Sequence, residues 1–181
     1  MVVSCFALRP QVFFEQPHAG LSYYANYMPT AIPYALGFSL SVACLLFAVQ
    51  SIPEYTLRLK RMRLALLGIA GCLAGILVTP NLANNFFYYA HMYITILLFA
   101  TSSLTAIWVL LAMKRISTLD WVLFAMMVLG GLVSLLSAEY IQVLGLLPWA
   151  QVAALNGATL IIVRGVIQWV RELPQDNRAP Y

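Results

Sequence analysis

Apolar residues run through this chain in five long stretches, at about 31–50, 64–79, 86–113, 120–141 and 149–170, with short polar or basic clusters between them. A helix rises about 1.5 Å per residue, so each stretch approaches the roughly 30 Å of a bilayer's hydrocarbon core. The second needs its flanks to do so. The third carries a polar stripe: Asn84, Tyr88, His91, Thr95, Ser102 and Thr105 recur at steps of three, four and seven, interrupted only by Leu98. That spacing shares one helical face, while the other faces are Phe, Ile, Leu, Val and Trp. It predicts a transmembrane helix that turns its stripe into a bundle.

The remaining stretches carry packing and capping signals. Thr30 is placed to cap the first helix, and Pro33 falls in its first turn, where a missing N–H costs little. Gly37, Ser41, Cys44 and Ala48 make a small-residue face. The second stretch holds a GxxxG, Gly71 to Gly75, expected to pack an internal neighbour, with Gly68 nearby. Pro80 ends it, and Asn81, Asn84 and Asn85 form a short turn. Gly130, Ser134 and Ala138 give the fourth stretch another small face, and Gly145 and Pro148 mark the following turn.

Residues 1–30 break the pattern. Met1–Leu8 is apolar but too short to span. Arg9-Pro10 follows, then Phe13, Phe14, His18, Tyr23, Tyr24 and Tyr27. A signal peptide sets its charge before its apolar run, and here the order is reversed. This reads as an aromatic-rich interfacial loop, with residues 171–181 as a tail at the other end of the bundle.

Composition fixes the class. The 181 residues are 62% hydrophobic and 9% charged, whereas soluble domains carry about 25% charge. The fold expected is an all-α integral membrane helical bundle of five full transmembrane helices. Nine of the ten Lys and Arg are Arg58, Lys60, Arg61, Arg63, Lys114, Arg115, Arg164, Arg171 and Arg178; only Arg9 stands elsewhere. The positive-inside rule then sets the N-terminus outside and the C-terminus in the cytoplasm, most simply in a plasma (inner) membrane. It also explains the net charge of +4 without nucleic acid. Cys5, Cys44 and Cys72 have no metal-ligand spacing, and Cys44 and Cys72 read as small packing residues.

Ionisable groups inside a bilayer are functional candidates by default. Helical rise places His91, Glu139 and Asn156 in one outer third, with Tyr34, Tyr88, Tyr93, Tyr140 and Gln151 around them. A His and a carboxylate there would relay a proton or bind a polar headgroup; the competing reading is interhelical packing. Arg58, Lys60, Arg61 and Arg63 are candidates for anionic lipid headgroups, as is Arg164, whose expected partners are Gln168, Asp120 or lipid phosphate. A catalytic metal needs about three protein ligands, and the chain has two His, not close in sequence. Sequence motifs for hydrolases, zinc proteases and phosphate loops are missing, so no cofactor is expected.

Ser22-Tyr23-Tyr24-Ala25-Asn26-Tyr27 leads into Thr30-Ala31-Ile32-Pro33-Tyr34-Ala35-Leu36-Gly37, a basic loop follows that helix, and an Asn-rich turn enters a helix with an early His91. In these features, together with the short spacing of its later spans, the chain from Leu21 to Val170 resembles the small polytopic family that includes DRAM and Sfk proteins. The resemblance implies a membrane-organising or lipid-related role without a shared cofactor. It also implies six helices, of which the first is missing here or reduced to Met1–Leu8. The function expected is non-enzymatic membrane organisation or lipid interaction. The alternatives are a small transporter or proton-coupled permease using His91, Glu139 and Asn156, and a subunit of a larger membrane complex or an intramembrane enzyme. Partners expected are the bilayer, its anionic lipids, and a membrane-protein partner or a homo-oligomer.

Overall fold

The computed structural model describes residues 2–11, 21–79, 85–139 and 147–173. Among them every regular element is helical. A short helix α1 (Val2–Leu8) and a 3-10 helix (Leu21–Asn26) precede five long helices: α2 (Met28–Ser51), α3 (Leu57–Val78), α4 (Asn85–Ala112), α5 (Thr118–Glu139) and α6 (Leu147–Arg171). These five are long and apolar enough to cross a membrane. The protein is an all-α bundle with five candidate spans.

The helix ends show why the chain breaks where it does. Thr30 is not the cap of α2. That place falls to Tyr27, with no side-chain bond, and Pro29 in the first turn lacks an N–H that would be orphaned there anyway. Thr30 lies inside the helix and is fully buried, its hydroxyl donating back to the Tyr24 and Tyr27 carbonyls. The expected loop at 51–63 is shorter than its charges suggested. Thr56 caps α3, its hydroxyl accepting from the Leu59 N–H at 3.3 Å. Arg58, Lys60, Arg61 and Arg63 therefore ride on α3, because Arg and Lys are good helix formers and Leu59 and Met62 between them are fully buried. Ser117 and Asp120 form a reciprocal capping box on α5: the Ser117 N–H donates to Asp120 Oδ2 at 2.7 Å, and the Asp120 N–H to Ser117 Oγ at 3.4 Å.

The segment read as an interfacial loop is partly helical and packed. Helix α1 and the 3-10 helix lie against α2. Cys5 is buried with its thiol 3.7 Å from the Thr30 carbonyl oxygen, and the Arg9 guanidinium sits 4.5 Å over the Tyr27 ring. Phe13, Phe14 and His18 lie outside the described residues, as do Asn81, Asn84, Tyr140, Gly145 and Arg178.

The long helices pack in the order α2, α3, α4, α6, α5, so α6 is gripped on two sides while α5 touches α4 only slightly. Glycine decides the tightest seam. A Cβ on Gly130 would sit 2.7 Å from the Ala150 carbonyl oxygen, and one on Gly157 2.7 Å from that of Leu123. Each helix of the α5–α6 pair thus lays backbone against backbone. Gly165 instead leaves room for the Val109 side chain of α4. In the GxxxG of α3, Gly75 meets Ile94 of α4, while Gly71 faces open space, so only half of that motif packs. Helices α2 and α6 stand across an open groove floored by α3 and α4.

Candidate functional site

The polar stripe of α4 turns inward from His91 onward. His91, Leu98, Ser102 and Thr105 are buried, whereas Tyr88 is exposed. His91 faces the end of α3, where its Nδ1 lies 2.7 Å from the Thr79 carbonyl oxygen. A carbonyl only accepts, so Nδ1 carries the proton and donates; Nε2 of the neutral ring is then the acceptor. Thr79 caps α3 with its own hydroxyl donating to the Gly75 carbonyl at 2.7 Å. His91 therefore satisfies the Thr79 carbonyl at the C-terminal end of α3.

On its other side His91 borders a small cleft with Tyr34, Thr95, Phe99 and Gln151. Tyr34 is 5% exposed and its hydroxyl is buried without a hydrogen-bond partner among the described residues. The cleft measures about 40 Å³, room for roughly one water molecule. It can bind one hydrogen-bonding group, not a headgroup.

Asn156 is elsewhere. It lines the groove between α2 and α6, a cavity of about 770 Å³ whose walls include Ser41, Cys44 and Ala48 of α2 and Asn156, Thr159 and Val163 of α6. Leu66, Ile69 and Leu73 of α3 and Leu98 and Ser102 of α4 form its floor. Phe38, Leu98 and Leu155 border both spaces and separate them. Glu139 is the last residue of α5, and its side chain lies outside the described residues. The structure thus brings His91 together with Tyr34 and Gln151 and sets Asn156 in a different cavity. Tyr88 lines neither; its ring meets Tyr89 edge-on at 5.5 Å, and Tyr93 is exposed.

The groove was not legible in the sequence, because it depends on how helices far apart in the chain are placed side by side. Cys44 was read as a packing residue, yet it is exposed on the groove wall; Cys72 is buried as expected. Among the described residues no charged side chain lines the groove. One end of it is closed by Ser51, Ile52, Pro53 and Val170, and α3 begins a few residues further along.

The basic residues divide into two kinds. Arg164 donates from Nε to Asp120 Oδ1 at 2.6 Å and from Nη2 to Ser117 Oγ at 3.0 Å. Arg63 pairs with Glu54, and Lys114 lies 3.2 Å from Glu172. Arg58, Lys60 and Arg61 are exposed, and no salt bridge engages them among the described residues. The three stand within the first two turns of α3, at the end of the bundle that also holds Lys114, Asp120 and Arg171. Among the described residues no three His, Cys, Asp or Glu gather as a metal site. No family model, no curated protein and no solved structure matches this chain.

Proposed function

We propose that this chain is a non-enzymatic, multi-pass membrane protein that organises anionic lipid at its basic end. The observation that carries this reading is the contrast among its cations. Arg63, Lys114 and Arg164 are committed to carboxylates, whereas Arg58, Lys60 and Arg61 stand exposed and unpaired among the described residues at the start of a spanning helix. Each such charge near an anionic leaflet contributes about 1 kcal/mol, so three supply about 3 kcal/mol. The tally of basic residues supports reading this end as the cytoplasmic face of a plasma (inner) membrane, where anionic lipid lies. The resemblance to DRAM and Sfk proteins points the same way.

The permease alternative receives less support. It needs His91, Glu139 and Asn156 to act together, but His91 spends Nδ1 on a helix-capping carbonyl and Asn156 lines a separate cavity.

The test is native mass spectrometry with vesicle binding of the purified chain. Wild type should retain phosphatidylglycerol or a comparable anionic lipid, and Arg58→Gln with Arg61→Gln should lose most of it with helicity unchanged. Equal retention in the double variant would sink the reading.

A further inference from the structure

We propose that the groove between α2 and α6 binds an uncharged lipid with one apolar tail and a carbonyl or hydroxyl head, the head held at mid-membrane and the tail running toward the basic end. This goes beyond the anionic-lipid reading and stands independently of it.

The floor and the α6 wall set the place and chemistry of the head. Ser102 is 5% exposed, lines the floor, and makes no hydrogen bond among the described residues. Asn156 and Thr159 stand exposed on the α6 wall and make none there either. All three lie within four residues of the midpoints of their helices, Asn85–Ala112 and Leu147–Arg171. At about 1.5 Å per residue they form a band roughly 10 Å deep in the middle of the span. Hydrocarbon offers nothing to hydrogen-bond there, and polar side chains at that depth are costly without a partner. The two hydroxyls and the amide can each donate to an oxygen and accept from a hydroxyl. No charged side chain lines the groove among the described residues, so the head that suits this band is neutral.

The shape of the groove sets the place of the tail. From Thr159 the groove continues to Val170, roughly 16 Å along α6 at helical rise. Leu45, Ala48 and Ile52 line this stretch on one side, and Val163 and Val166 on the other. In the opposite direction it reaches only from Asn156 to Val152, about 6 Å. The site is a polar patch with one apolar trough leading off it toward the basic end.

Other occupants fit this arrangement less well. A phospholipid keeps its charged head at the membrane face, so its chain ends, not its oxygens, would meet the band. A helix about 10 Å across and 30 Å long takes up roughly 2,400 Å³. That is about three times the cavity's 770 Å³, so a helix would lay only a strip of side chains into it. The cavity falls within the range of about 300–1,000 Å³ that small-ligand sites occupy. An uncharged head enters hydrocarbon at far lower cost than a charged one. A quinone or a long-chain alcohol dissolved in the bilayer therefore reaches the band through the open side of the groove.

The test titrates the full chain, purified in mild detergent, with a decyl-tailed benzoquinone and separately with farnesol, and reads binding by native mass spectrometry. One equivalent of at least one probe should bind. Tighter binding of the quinone would assign the ligand carbonyl oxygens, and tighter binding of farnesol a hydroxyl; either result supports the site. Ser102→Ala and Asn156→Leu should each weaken binding about three- to tenfold, the range of a single hydrogen bond. Ala48→Trp, which fills the trough, should abolish binding with helicity unchanged. Binding of neither probe, binding that survives Ala48→Trp, or wild-type affinity in both Ser102→Ala and Asn156→Leu would each overturn the proposal. So would a phospholipid or a second polypeptide that co-purifies with wild type and is lost in Ala48→Trp. Arg58→Gln with Arg61→Gln should leave probe binding intact, so failure of the anionic-lipid reading is separately visible.

Discussion

Arg164 on α6 holds the fully buried carboxylate of Asp120 on α5, with Nε 2.6 Å from Oδ1. The same carboxylate accepts from the Ser117 N–H and hydroxyl, each at 2.7 Å. One residue thus closes a helix cap and ties two helices together. Removing the cation strands a buried charge, which costs about 3–5 kcal/mol in a dry site. The Arg164 side chain is 37% exposed, so solvent screening brings the cost to the bottom of that range or below it. Arg164→Leu should destabilise the detergent-solubilised protein by about 2–3 kcal/mol in a denaturation titration. Arg164→Leu with Asp120→Leu should recover part of the loss. If the double variant loses as much as the two single changes added together, the pair is not coupled.

The α5–α6 seam should be intolerant of any side chain. Gly157→Leu and Gly130→Val both drive carbon into opposing backbone, where no rotamer change relieves the clash. Overpacking of this kind costs about 1–3 kcal/mol or more. Gly71→Ala meets nothing within 4 Å and should be neutral. Thermal unfolding of the three variants side by side distinguishes a seam from a general aversion to substitution.

His91 and Tyr34 border one cleft but should respond oppositely. His91→Ala removes the donor to the Thr79 carbonyl and should destabilise by about 1–3 kcal/mol, the cost of a stranded buried polar group. Tyr34→Phe removes a hydroxyl that has no partner among the described residues and should be neutral or stabilising. A loss in Tyr34→Phe equal to that in His91→Ala would mean the hydroxyl has a partner, such as a bound water.

The proposed orientation predicts that membrane-impermeant reagents applied to intact cells will not reach a cysteine placed at Lys114 or Arg171. A cysteine placed between Glu139 and Leu147 should be labelled. Labelling in the reverse pattern would invert the assignment drawn from the basic residues.

The polar stripe on α4 was readable because helical periodicity alone tells which residues share a face, and His91, Ser102 and Thr105 are buried as that rule requires. The partners of the stripe were not readable. Depth along a helix can be counted, but lateral position cannot, so His91 and Asn156 were assigned one pocket and occupy two. Arg164 was resolved better: Asp120 stood among its expected partners, since few groups lie at its depth. Tyr88 shared the stripe's register yet faces outward, because the stripe is covered only from His91 on.

By itself, the sequence determined what the bilayer demands. Unbroken apolar length gave five helices, because a backbone in hydrocarbon must bond within its own segment. Charge at the ends of those segments marked one face of the bundle as basic. Tertiary structure alone decided the order α2–α3–α4–α6–α5, since apolar faces are nearly equivalent toward lipid and toward each other. Selection among them rests on close packing, at Gly130, Gly157 and Gly165, and on the few polar groups that must find one another. The open groove between α2 and α6 is the remainder of that selection, and no local pattern in the chain encodes it.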